Sequence, residues 1–195
     1  MTANAMGAVT FPLTGEPLAL DLLNTRPPAT GDLIGDPAGL TAWLGEQAGR
    51  LTPVAAVGAA ELAAVHAVRE AAGAALRAAA EGGRPPAAAL RALNGAMAGA
   101  PAQRELEWTE TDGLTAARRR PAAPAARLAA ELAEAAAELL TDPRVTSVRA
   151  CEAEDCVLLF LPAHPRRRWC VASACGNRTR VARYYARHKA DRGES

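Results

Sequence analysis

The apolar and polar positions fall into short blocks divided by proline and glycine, and most blocks repeat at helical spacing. Leu18 to Leu23 is a short apolar stretch closed by Asn24, Thr25 and Pro27-Pro28, which predicts a short helix or a buried turn. Asp36-Pro37 joins an N-cap residue to a proline at the first helical position. Leu40, Trp43 and Leu44 follow at i, i+3 and i+4, predicting a helix from about 37 to 48. Thr52-Pro53 has the same form and leads into a long helix through Leu62, Val65, His66, Arg69 and Leu76, stopped by Gly82-Gly83. After Pro85-Pro86, "AAALRALNGAMAGA" supports another helix, ending near Gly99.

Leu106 and Trp108 then alternate with charged neighbours, and Asp112-Gly113 lies between two such runs, the pattern of a β-hairpin. Pro121 and Pro124 precede a helix in which Leu128, Leu132, Leu139 and Leu140 are interspersed with Glu131, Glu134 and Glu138. "RVTSVRA" reads as a short strand that delivers the chain to Cys151. The expected fold is α+β: a mainly helical N-terminal domain with a β-hairpin over residues 1–145, then a small C-terminal module that holds all four cysteines and ends in a basic helix over 146–195. The alanine abundance and the single lysine, Lys189, look like the base composition of a GC-rich genome and carry no functional message.

Half of the 195 residues are hydrophobic, enough for a real core, yet no run of about 18 apolar residues suggests a membrane span. The start, Met1 to Thr10, lacks the basic and long apolar regions of a secretory signal, so the chain is expected to be cytoplasmic. In that reducing setting thiols persist, and clustered cysteines point to metal rather than to disulfides. The four cysteines form two C-x4-C pairs, Cys151 with Cys156 and Cys170 with Cys175, thirteen residues apart. Two loops that each present two thiolates can close a tetrahedron around one Zn²⁺. An iron–sulfur cluster or four metal-free thiols are the alternatives. A sphere of four thiolates leaves no position for water or substrate, which favours a structural metal over a zinc hydrolase.

The net charge of +1 conceals a division. From Arg166 onward nine basic residues face two acidic ones, +7, while residues 1–165 carry 13 basic against 19 acidic, −6. Gly176-Asn177 offers a turn and an N-cap, and "NRTRVARYYARHKA" then has helical spacing. Arg180, Arg183 and Arg187 share one face, and Val181, Tyr184, Tyr185 and His188 form a neighbouring face suited to packing on the metal module. Arg178, Arg180, Arg183, Arg187 and Lys189 are therefore the candidate DNA contacts. The plainer readings are a solvated face or a face bound to the acidic body; no aromatic signature supports RNA. Arg167, Arg168 and Arg178 lie closest to the last two cysteines, where cations can offset the −2 charge of a zinc–tetrathiolate centre.

"RRWCVASACGNRTR" resembles the signature of the CGNR zinc finger, with Cys175, Gly176, Asn177 and Arg178 as the tetrad. "CEAEDCVLLFL" resembles that finger's first cysteine pair and apolar strand. "GEPLALDLLNT", "DPAGLTAWL", "AVHAVREAAGAAL" and "ALRALN" resemble successive parts of the ABATE domain that precedes it. The chain departs from the finger's pattern at Val171-Ala172, where the family has Ser-Met, and at Pro162, where it has aspartate. The resemblance implies a stress-induced transcription regulator.

In the body, Asp21, Asn24, Thr25 and Arg69 are polar residues in apolar surroundings that match ABATE positions. A structural ion pair between aspartate and arginine is the plain reading; a pocket for a small-molecule effector is the sharper one. The overall expectation is a DNA-binding regulator that senses a small molecule or forms a homodimer. A zinc-stabilised protein-interaction module is the alternative. An enzyme is disfavoured by the closed sphere and by the absence of a G-x-S-x-G, P-loop or H-E-x-x-H motif, leaving only Asp21 with His66 as an acid–base pair.

Overall fold

The computed structural model describes residues 11, 12, 14–27 and 31–192, with residues 186, 187 and 189–192 described by backbone alone. The elements run α1 (Leu18–Leu23), α2 (Pro37–Glu46), α3 (Ala59–Ala80), α4 (Ala87–Gly99), β1 (Gln103–Thr109), β2 (Gly113–Arg119), α5 (Pro124–Thr141), β3 (Arg149–Ala150), β4 (Leu159–Phe160) and α6 (Asn177–Arg192). The chain is α+β, with β1–β2 and β3–β4 as two separate antiparallel pairs. Among the described residues no helix is long and apolar enough to cross a membrane.

α3, α4 and α5 pack against one another, and α1 lies on α3 and α5. Their apolar stripes bury Val65, Val68 and Leu76 of α3, Leu93 of α4, and Leu128, Leu132 and Leu139 of α5, with Leu20, Leu22, Leu40 and Trp43 from the first two helices. The alanines are not merely a compositional habit. Ala72 and Ala75 on α3 and Ala130, Ala133 and Ala136 on α5 are fully buried, and side chains this small let helix axes approach closely.

Two local expectations change. The long helix begins at Ala59, because the Glu61 carboxylate accepts from the Gly58 N–H at 2.9 Å and caps the helix there; Thr52-Pro53 stays outside it. Thr52 instead donates its N–H and hydroxyl to Glu131 of α5. Most of "RVTSVRA" is a 3₁₀ turn, Pro143–Ser147, started by the Asp142 carboxylate accepting from the Arg144 N–H at 2.7 Å, and only Arg149–Ala150 is strand. The hairpin forms as expected, with Trp108 opposite Leu114 and Gly113 at φ +69° where the turn needs a left-handed residue.

The C-terminal module rests on the helical body. Val145, Val148, Leu159 and Leu161 pack against the main core. The Asn24 amide brackets Leu159, donating to its carbonyl and accepting from its N–H, both at 2.8 Å. Glu16, buried, accepts from the Leu161 N–H at 2.9 Å and from Arg167 at 2.7 Å.

Candidate metal centre

Four short segments bring the cysteines together. The first pair brackets a turn with Asp155 at φ 60°, in the left-handed region that aspartate tolerates better than most residues. It is followed by β4, whose pairing with β3 is extended by the Cys151 N–H donating to the Leu158 carbonyl at 2.9 Å. The second pair lies on "RRWCVASACG", where Glu152 N–H donates to the Arg168 carbonyl at 3.0 Å and ties the two loops. A π turn, Ala172–Gly176, then runs straight into α6. Trp169 covers Gly176 so closely that a Cβ there would stand 3.2 Å from the indole.

All four Sγ atoms lie within 4.8 Å of one another. Cys156 and Cys170 sulfurs are 3.8 Å apart, those of Cys170 and Cys175 3.5 Å. A tetrahedral zinc with bonds of about 2.3 Å sets its sulfurs roughly 3.8 Å apart, so the donor set and its size both fit. Burial pushes the Cys170 thiol far up, with the neighbouring Cys175 and Cys151 thiols acting in the same direction, and burial also raises Cys156. At Cys151 burial is outweighed by N–H groups of Cys170 and Ala153, and the thiol is lowered. A divalent cation at the centre is what allows all four to ionise together. The Cys170 N–H donates to Cys151 Sγ at 3.3 Å and Arg178 reaches Cys175 Sγ at 3.5 Å, contacts that spread the thiolate charge.

A family model described as "Putative stress-induced transcription regulator", ABATE, matches residues 16–143, well over half of the chain. A second, for the CGNR zinc finger, matches residues 147–188. The chain belongs to the ABATE family. It carries a CGNR finger with one structural zinc site. A comparison with curated proteins finds no match.

Around the CGNR centre the arginines divide by task. Arg178, expected on the DNA face, turns back to Cys175 Sγ and to the Glu154 carbonyl at 3.5 Å. Arg167 donates to the Cys170 carbonyl at 2.6 Å and to Glu16, and stacks 4.4 Å over Phe160, joining finger to ABATE body. Arg168 pairs with Glu152, and Arg168 and Arg180 stand 5.6 and 5.8 Å from the Trp169 ring. Arg180 and Arg183 are exposed on α6; the side chains of Arg187 and Lys189 lie outside the described residues. Asn177 does not cap α6. The π turn continues into the helix, so Asn177 is already helical, donating to the Ser173 carbonyl at 2.8 Å and accepting from Arg180. Val181, Tyr184 and Tyr185 are exposed, not packed on the finger.

The four polar ABATE residues do not share one pocket. Asp21 accepts from the Gly15 and Glu16 N–H groups and pairs with Arg50 at 2.5 Å, so its arginine is not Arg69. Burial raises the Asp21 carboxyl against those contacts. Arg69 donates to Thr25 Oγ1 at 2.9 Å and forks onto both oxygens of Asp32 at 2.7 and 2.5 Å. Asn24 belongs to the finger junction. His66 Nε2 donates to the Ile34 carbonyl at 2.7 Å, away from Asp21's partners, so the imagined acid–base pair is not assembled. Glu16, Asp32 and Arg50 escaped notice in the sequence. Glu16 was nevertheless one of the two acids of the "GEPLALDLLNT" segment, beside Asp21.

Proposed function

We propose that the protein is a transcription regulator whose CGNR finger binds duplex DNA through the first turns of α6, while the ABATE body, residues 1–145, senses a small molecule. The observation that carries this reading is the charge of α6, six basic residues against Asp191, on a helix that begins two residues after the metal ligand Cys175. Thr179 Oγ1 donates to the Cys175 carbonyl at 2.9 Å, which ties the first turn of α6 to the loop that carries Cys175. Arg180 and Arg183, exposed, are the phosphate-contacting residues, joined by Arg168 beside Trp169. Arg187 and Lys189 extend the same basic run. A catalytic role is no part of the proposal, since four thiolates leave the metal no open position.

A second reading has its own support: Val181, Tyr184 and Tyr185 form an exposed apolar stripe on α6, which suits a protein partner. Salt dependence separates the two. Arg180→Ala and Arg183→Ala are each expected to weaken binding to any duplex and to lower the slope of log K against log salt by roughly one. Anisotropy titration of a labelled duplex at several salt concentrations measures this. Slopes unchanged in both variants, or no duplex binding at low salt, would leave the protein-partner reading.

A further inference from the structure

Where finger meets body, a cleft of about 330 Å³ opens between α1, α3 and the segment before β4. Its lining includes Leu23, Asn24, Arg69, Gly73, Arg77 and Leu158. Three arginines border it, and their partners are unequal. Arg26 is paired with Glu70 at 3.0 Å, and Arg69 with Asp32. Glu70, the partner of Arg26, also lines the cleft, and Arg77 has no hydrogen bond or ion pair among the described residues. Arg69 also lines the cleft, only 5% exposed, and its buried Nε–H has no acceptor among the described residues.

The cleft also has a reserved space. Gly73 is the only glycine inside α3, and a Cβ there would lie 3.3 Å from both Arg77 Nη1 and Leu23 Cδ2. Glycine inside a helix is less stable than alanine, the residue that otherwise dominates this helix, and leaving the position bare keeps the cleft open. Leu23 and Leu158 supply apolar wall on opposite sides, one from the body and one from the finger. The volume lies near the lower end of small-molecule sites, about 300 Å³.

We propose that this cleft binds a small organic carboxylate, its oxygens on the Arg77 guanidinium and its apolar part against Leu23 and Leu158. The inference rests on the reading that the body senses a small molecule, and gives that signal a site and a chemical class. The occupant touches both units beside the Asn24 bracket on Leu159, so binding fastens the finger to the body. The sensing is thereby coupled to how firmly α6 is held.

The test titrates the full, zinc-loaded chain calorimetrically with benzoate, phenylacetate and hexanoate, each beside its neutral amide. At least one acid is expected to saturate at one per chain, with its amide at least tenfold weaker. Arg77→Gln, on an exposed side chain that the fold does not use, is expected to weaken the acid tenfold or more with unchanged circular dichroism. Gly73→Leu is expected to abolish binding, and the bound acid to slow hydrogen exchange at the Leu159 N–H. Acids that bind no better than their amides, or not at all, overturn the proposal, as does an Arg77→Gln chain that binds like the parent. The titration contains no DNA, so this failure and a failure of duplex binding are seen separately.

Discussion

Stripping the zinc is expected to unfold residues 147–188 while α2 to α5 stay helical. The finger's own cluster consists of the buried cysteines with Ala153, Leu158 and Phe160, and partly buried Cys156, Trp169 and Val171 against them. Without the metal, the sulfurs have no common partner and the few remaining apolar side chains cannot offset the entropy of ordering two loops. A structural zinc site supplies about 10–16 kcal/mol of apparent binding free energy at neutral pH, far more than such a cluster can replace. The body has its own core of buried leucines and alanines, so chelation is expected to lower its melting temperature without unfolding it. What it loses is the Asn24 bracket and the contacts of Glu16, worth roughly 1 kcal/mol per hydrogen bond. Elemental analysis is expected to find one zinc per chain, and Cys170→Ser to lose it. Exchange-resolved mass spectrometry locates the unfolding. Protection lost equally over α3 and α5 would contradict the division at about residue 145.

Arg69→Met is expected to destabilise the body by about 2–4 kcal/mol, the range for breaking a largely buried pair and stranding its partner. The guanidinium holds Thr25 and both oxygens of Asp32, and Asp32 is 26% exposed, which keeps the effect below that of a fully enclosed carboxylate. Urea unfolding of the two proteins measures it. The pH dependence has a definite sign. Hydrogen bonding from Arg69 holds the Asp32 carboxyl below its usual 3.8, so its contribution is present at neutral pH and is lost as pH falls through the lowered value. Arg69→Met should flatten that part of the acid limb. Asp21 has the opposite sign: burial raises its carboxyl, so its contribution is present at low pH and fades as pH rises. A variant as stable as the parent, with the same acid limb, would show that the fork onto Asp32 contributes nothing.

The metal site was legible because cysteine chemistry is sparse: four thiols in 25 positions admit few uses, and the CGNR tetrad narrowed them further. Helices and hairpin were legible because their apolar periods are strong and their prolines and glycines mark the ends. Failures came where a side chain some way off decided the backbone. Glu61 moved the start of α3, and a π turn made Asn177 helical instead of a cap. The polar quartet was legible only in part for a related reason: Asn24 and Arg69 line one cleft, while Asp21 and Thr25 are not in its lining. Asp21 meets Arg50 from 29 residues away and Arg69 meets Asp32 from 37, and nothing in the spacing of charges says which arginine finds which aspartate. The basic run announced an anion partner without revealing that Arg178 would serve the zinc shell and Arg167 the junction.

If zinc holds α6 for DNA, metal and DNA binding must rise and fall together. The most direct measurement is anisotropy of a labelled duplex with the full chain, first zinc-loaded, then treated with a chelator, then given zinc again. The expected result is salt-sensitive binding with zinc, its loss on chelation and its return on reloading. Duplex binding that is absent at low salt in the loaded protein, or that persists unchanged after the metal is removed, would contradict it.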